Sequence, residues 1–379
     1  MGDDDLGLLR ESLRAAFADL SPSATVRAHM ASARGWSPKE WRRLSRELGL
    51  AGFLVPEEYG GGGFTAVEAG VVFEEAGRAL LCAPLFAVSA LAVPLLLALD
   101  DPEAAKRYLP GLAAGTFVAT VATADVHGRP LPDGVMPEAS EGPDGPTVTG
   151  SAGFVVDGAS ADVIFVPART ADGIGVFAVE SRADGVTATP LTSLDLTRKL
   201  ARLDFADAPA ARIGRGDATA PLTLALDVAR ALLAAEQAGG AARCLELTVA
   251  HGKTRVQFGR PIGSFQAFKQ KCADLLVKTE SARSAAEAAA QAAALGLDGD
   301  AFVRLPGLPE LPVVVSVAAS YCAEAYVAVT AEMIQLHGGI GFTWEHDAHL
   351  YYKRAWTGRE LLGRPEEHTE RLAGLLAAR

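Results

Sequence analysis

The sequence predicts an α+β protein with helices at both ends and a β-rich middle. Two observations carry this. Apolar residues recur at helical spacing from about Leu6 to Ala114 and again from Leu222 onward. Between them the chain breaks into short runs rich in Val, Ile, Phe and Thr, punctuated by Gly, Pro and Asp. The change of period sets the expected domains: an N-terminal helical domain over 1–114, a middle β-barrel or sandwich over 115–216, and a C-terminal four-helix bundle over 217–379. At 379 residues the chain is long enough for such a division.

Taken in order, Leu8, Leu9, Leu13 and Phe17 trace the first helical stripe. Ser37 is placed to cap a helix that starts at Pro38 and carries Trp41, Leu44 and Leu48. Pro56-Glu-Glu-Tyr-Gly-Gly-Gly-Gly63 is a turn, and 66–81 is the next helix. The apolar run 80–99 contains Pro84 and Pro94 and is bounded by Arg78 and Asp100, so it reads as buried helix and loop rather than a membrane span. Strands are expected at 118–122, 147–149, 154–156, 163–166 and 176–179. The C-terminal helices are expected at 222–254, 265–297, 313–336 and 350–378. Gly239-Gly240 in the first of these marks a close-packing point, and a Pro/Gly loop fills 298–312.

The totals exclude several classes. Hydrophobic residues make up 49% and charged residues 21%, as in an ordinary globular protein. A net charge of −11 opposes nucleic-acid binding, which needs a basic footprint. The four cysteines show no CxxC spacing, and Met1-Gly-Asp-Asp-Asp5 has no apolar signal core, so a cytoplasmic protein with reduced thiols is expected. Glu345-His-Asp-Ala-His349 offers two histidines but no third ligand, so no metal site is expected.

Two segments carry chemistry. Arg255-Val-Gln-Phe-Gly-Arg-Pro-Ile262 puts a guanidinium, an aromatic ring and a break between two long helices. Gln335-Leu-His-Gly-Gly-Ile-Gly-Phe342 puts three glycines just past another. A helix break beside Arg suits a pyrophosphate, and glycines let backbone approach a ligand closely. With Pro56-Glu-Glu-Tyr-Gly-Gly61 and Asp195-Leu-Thr-Arg198, and in this order, the segments resemble the motifs of the acyl-CoA dehydrogenase family along essentially the whole chain. The resemblance implies that family's three-part fold and α,β-dehydrogenation of an acyl thioester, on CoA or a carrier protein. It also implies FAD as hydride acceptor, an electron-transfer partner, and a homotetramer or heterotetramer. Arg255 and Phe258 would grip the pyrophosphate and adenosine of FAD bound mainly to a neighbouring subunit. Gln335, Gly338 and Gly339 would line the same dinucleotide, with His337 structural or at the cofactor edge. Arg230 would match the family's arginine near the acyl pocket. Asp195–Arg198 would form a local ion pair or turn shaping the substrate entrance.

Three departures stand out. The family's Thr-Glu-Pro segment with its following Gly-Ser-Asp becomes Val121-Ala-Thr-Ala-Asp125 and His127-Gly-Arg-Pro130, which leaves Thr123 as the flavin contact. Its Trp-Ile-Thr becomes Phe154-Val-Val156, so Phe154 could cover a ring face while Val156 offers no hydroxyl. The thioester chemistry needs a carboxylate to take the α-proton while a β-hydride leaves to the flavin. The two family positions for that base hold Ala229 and Leu362. Glu236, seven residues past Ala229 and on nearly the same helical face, is the remaining candidate; Glu360 and Asp227 point elsewhere.

Three readings follow. One is an acyl-CoA dehydrogenase with an unusual or partner-supplied base. Another is a non-catalytic subunit of a heteromeric acyl-CoA dehydrogenase. The third is a flavin oxidase or N-monooxygenase on the same scaffold.

Overall fold

The computed structural model describes residues 2–143, 145–297 and 310–378. Helices α1 (Asp3–Leu20), α2 (Ser23–Ala31), α3 (Pro38–Leu48), α4 (Ala66–Arg78), α5 (Val93–Ala98) and α6 (Pro102–Ala113) form the N-terminal part. Ser37 caps α3 as expected, accepting the Glu40 amide, and Gly49 closes it in the left-handed conformation. Thr65 and Glu68 form a capping box that starts α4. The apolar run resolves into a π-helical turn, Phe86–Ala92, running into α5, and is buried without a break from Pro84 to Leu96.

The middle part is one mixed sheet, eight-stranded among the described residues, in the order β6-β7-β3-β2-β4-β5-β8 with β1 beside β4. Its strands are β1 (Ala119–Val121), β2 (Glu138–Gly142), β3 (Gly145–Val156), β4 (Val163–Thr170), β5 (Gly173–Glu180), β6 (Val186–Pro190), β7 (Leu200–Pro209) and β8 (Ala211–Ile213). Strands β3 and β8, and β5 and β7, touch although they are not neighbours in that order, so the sheet curls upon itself. Val148, Val155, Ile164, Phe177, Leu203 and Phe205 fill its own core. The runs expected at 147–149 and 154–156 are one long strand, and β2, β6, β7 and β8 were not anticipated. Strands β2 and β6 are almost wholly polar or exposed, so the apolar pattern carries no signal there.

Helices α7 (Thr219–Thr254), α8 (Gln266–Leu295), α9 (Leu311–His337), α10 (Ala348–Glu360) and α11 (Pro365–Ala377) make the C-terminal bundle. The fourth expected helix is broken at 361–364, where Leu362 and Gly363 adopt positive φ ahead of Pro365. The Pro/Gly loop expected over 298–312 lies outside the described residues as far as 309; α9 begins at Leu311. Helix α9 is apolar and long enough to cross a bilayer by composition, yet it packs against α7, α8, α10 and α11 as a core helix.

Helices α4 and α7 cross closely through paired glycines. A Cβ on Gly239 would stand 1.9 Å from the Glu74 carbonyl oxygen, and one on Gly77 2.0 Å from that of Glu236. Gly239→Ala is therefore expected to destabilise the fold by about 1–3 kcal/mol, read from its denaturation midpoint against wild type.

Candidate active site and dinucleotide end

Helix α7 runs unbroken through both halves of the site. Arg255 caps its C-terminal end, separated from Arg230 by about 37 Å of helix rise. At that end Arg255 is exposed and its side chain makes no hydrogen bond or ion pair among the described residues. A two-residue hairpin, β9 (Val256–Gln257) with β10 (Arg260–Pro261), turns the chain at Phe258 and Gly259, both at positive φ. Phe258 is 91% exposed, and Phe342 at 87% and Trp344 at 64% share this exposure. An aromatic ring standing almost free in water, beside an unpaired guanidinium, is a surface waiting for a ligand or partner.

The second motif meets the first through histidines. His337 Nδ1–H donates to the Met333 carbonyl, 2.8 Å away. Its ring stacks on His251 at 4.4 Å and lies 4.6 Å from that of His346. Burial pushes the His337 pKa down to about 4, so the stack is neutral near pH 7. Gln335, Gly338 and Gly339 sit exposed just beyond it, and no atom lies within 4 Å of a Cβ built on either glycine. Gly338 has φ 64 and ψ −146, a conformation that only glycine adopts readily. An open, cationic, glycine-floored end of this kind fits an anionic dinucleotide. His346 and His349 take different ring partners, His337 and Trp344.

In the middle part, the Gly153 amide donates to the Ala124 carbonyl, which brings Thr123 and Phe154 into one neighbourhood. Thr123 is buried, and its carbonyl accepts the Leu131 amide. Phe154, at φ 53 and 40% exposed, lies against the 125–134 loop, with ring atoms 3.4 and 3.6 Å from where a Gly128 Cβ would be. Asp125 holds that loop by accepting the amides of His127, Arg129 and Val135.

Arg230 lies on the other stretch of α7, at the wall of a cavity of about 480 Å³. The loop 129–133, Thr223, Leu226, the 362–363 turn and α11 line it. Arg230 donates Nε–H to the Leu362 carbonyl at 3.0 Å and Nη1–H to Asp227 at 2.8 Å. Asp227 also accepts both terminal nitrogens of Arg371, at 2.7 Å each. Arg230 thereby ties together the two positions where the resemblance would put the base: it follows Ala229 and holds the carbonyl of Leu362. Neither side chain carries a proton acceptor, and both are buried. Beside them the imidazole of His368 is buried, its pKa pushed down to about 4 by burial and the nearby Arg230 and Arg371. Arg371 and His368 had no sequence signal, because the contact with Asp227 spans 144 residues.

Glu236 is not available as a base. Its Oε2 accepts Arg198 Nη2–H at 2.6 Å and its Oε1 accepts Arg354 Nε–H at 2.9 Å, and the residue is 4% exposed. Burial raises its pKa, but the two guanidiniums outweigh that and hold the carboxyl below the usual range. The Asp195–Arg198 segment belongs to the same knot. Asp195 accepts the amide and hydroxyl of Thr197, and Thr197 accepts from Arg354. The segment therefore pins the curled sheet to α7 and α10, where sequence suggested a substrate entrance.

Residues 219–376 match the family profile described as "Acyl-CoA dehydrogenase, C-terminal domain", and 3–116 match "Acyl-CoA dehydrogenase, N-terminal domain". The chain is 38% identical over 365 residues to acyl-CoA dehydrogenase IpdE2 of Mycolicibacterium smegmatis, covering 96% of each chain. Among solved structures it is similar to a variant of the Tcur3481-Tcur3483 steroid ACAD, with TM-score 0.84, 28% identity, and 99% and 98% of the two chains covered. It is also similar to a chain of the ChsE4-ChsE5 complex from Mycobacterium tuberculosis, with TM-score 0.88, 26% identity, and 100% and 99% covered.

Proposed function

The chain belongs to the acyl-CoA dehydrogenase family of oxidoreductases, and from that premise we propose that it is one subunit of a heteromeric acyl-CoA dehydrogenase whose base comes from a different chain. The observation that carries this is the pairing of two apolar base positions, Ala229 and Leu362, with an open dinucleotide end at Arg255, Phe258, Gln335, Gly338 and Gly339. The dinucleotide is FAD in this reading, and when bound it accepts the β-hydride of the thioester. Arg255 pairs with its pyrophosphate, Phe258 packs on its adenosine side, and the glycines admit its backbone-facing edge. Thr123 and Phe154 border the place for a flavin ring.

The length of α7 favours sharing. Arg255 and Arg230 stand about 37 Å apart along α7, so the dinucleotide end and the acyl cavity of one chain do not meet along it, and in this reading Arg255 serves a site completed by its neighbour. The exposed Phe258, Phe342 and Trp344 become buried in that assembly. Two-chain neighbours, the Tcur3481-Tcur3483 and ChsE4-ChsE5 proteins, support a heteromer, and the first of them points to a CoA thioester of a steroid-derived acyl group as the substrate class.

The test is the visible spectrum and solution mass of the chain purified alone and with a copurifying partner. Alone it is expected colourless or under-loaded with flavin. A yellow homotetramer with one FAD per chain, bleached by an acyl-CoA, would overturn the proposal.

A further inference from the structure

Where the three parts of the fold meet, the knot around Glu236 leaves one donor over. Arg198 is 5% exposed; its Nη2 is taken by Glu236, and its buried Nη1 has no acceptor among the described residues. Beside it lies a cavity of about 10 Å³, bordered by Arg198, Arg354, Phe86, Trp36 and Asp157. That is room for about one water, and an unmet buried donor is costly enough to hold one there. Asp157 is the acceptor this space offers. It follows directly on β3 at φ 53, a left-handed conformation that Asp and Asn tolerate better than most side chains. Its amide donates to the Lys199 carbonyl at 2.9 Å, and its own carbonyl accepts the Ser160 and Ala161 amides at 2.8 and 2.9 Å. Its side chain is 5% exposed, and the Trp36 indole N–H bonds both the carboxyl and Ser160 Oγ. The cations facing it are Arg34 beyond α2, Arg198 and Lys199 ahead of β7, and Arg354 on α10. Arg198 and Arg354 already serve Glu236, Arg354 stands 3.9 Å from Asp195, and Lys199 Nζ is turned to the Met30 carbonyl. The neighbouring Cys82 thiol is kept neutral by burial. Burial therefore outweighs the cations and pushes the Asp157 pKa up to about 7.

We infer that Asp157 is a proton-operated latch: its carboxyl and Arg198 Nη1 share one water in this cavity, and loss of its proton loosens the joint between the N-terminal helices and the end of β3. Neutral, the carboxyl rests in the dry joint at little cost. Ionised, it draws in further water and favours opening of the joint. The folded pKa lies above the ordinary value of 3.8, so the stabilisation is complete below pH 3.8 and is lost as pH rises through about 7. Between pH 6 and pH 8 the equilibrium constant for opening rises about tenfold. Phe154 lies three residues before Asp157 on β3, so the latch also sets how firmly that strand end is held.

The test is amide hydrogen exchange of the full chain, in the assembly in which it purifies, between pH 6 and pH 8. With the intrinsic pH dependence of exchange divided out, protection of the Asp157, Ser160 and Ala161 amides is expected to fall about tenfold in wild type. Asp157→Asn keeps the shape and the left-handed backbone but has no proton to lose, and its protection is expected to stay level. Trp36→Phe removes a bond that favours the charged carboxyl, so the midpoint of the fall is expected to move to higher pH. Infrared difference spectra of the wild type need no variant: a protonated-carboxyl band present at pH 6 is expected to vanish with a midpoint near 7. A crystal structure at pH 6 is expected to show one water within hydrogen-bond reach of both Arg198 Nη1 and the Asp157 carboxyl. An equal fall in Asp157→Asn and wild type would overturn the proposal. So would the lack of a protonated-carboxyl band at pH 6, or a dry cavity in the crystal.

Discussion

Glu236→Gln is expected to lose about 3–5 kcal/mol of folding free energy, the range for breaking a buried ion pair from one side. The residue neutralises two guanidiniums at once, and both are buried: Arg198 lies over the Phe86 ring at 4.6 Å, and Arg354 reaches Thr197. Removing the charge takes from Arg198 its ion pair in a dry interior, leaves Arg354 the longer pair with Asp195 at 3.9 Å, and loosens the tie between sheet and bundle. Glu360→Gln makes the contrast. Its ion pairs with Arg359 and Arg364 are partly exposed, and their loss is expected to matter by less than about 1 kcal/mol. The measurement is urea denaturation of both variants beside wild type. The acid limb gives a second reading. A carboxyl whose folded pKa is held down stabilises fully above its unfolded value, near 4.5. That contribution is lost as pH falls through the lower folded value, so wild type should show a steeper acid loss than Glu236→Gln. Equal stability of the two at pH 7 would show that the knot is dispensable.

Arg255→Glu is expected to weaken flavin retention in the assembled protein at least about 100-fold. A charge-assisted bond to phosphate contributes about 1.5–3 kcal/mol, and the reversed charge adds repulsion to its loss. The wild-type side chain has no hydrogen-bond or ion-pair partner among the described residues of its own chain, so the variant's melting in the absence of flavin should match wild type. Release is followed by flavin fluorescence on dilution, with free FAD as the standard. Unchanged retention would mean that the exposed α7 end serves a protein contact alone.

Local signals were readable and distant ones were not. Ser37 as a cap, Gly239-Gly240 as a crossing point, and the breaks after Thr254 and before Leu311 are decided within a few residues, so the sequence carries their cause; the break before Pro365 was not expected. The grouping of Arg255 with Gln335–Gly339 was legible because motif order stands in for a contact that the His251–His337 stack makes. Glu236 misled for the opposite reason. On a helical wheel it lies almost over Ala229, and nothing nearby in sequence announces Arg198 or Arg354. Those partners arrive across 38 and 118 residues, from the sheet and from α10. The same holds for Asp227, whose neighbour Arg230 was visible and whose larger claim, Arg371, was not. Strands β2 and β6 escaped because edge-like polar strands lack the alternation that reveals a half-buried one.

Helix α7 carries the Arg230 cavity on one stretch and the proposed dinucleotide end on its tip, in a single unbroken rod. With the cofactor shared as proposed, every complete site draws its two ends from two different rods. After a gene duplication, one copy can let its own acyl end decay while its tip still serves the sister protein. The two genes are then bound to one another, since deleting either leaves both halves idle. Selection at Arg255 acts through the sister's activity, so the residues under strongest constraint in this chain need not be those around its own cavity.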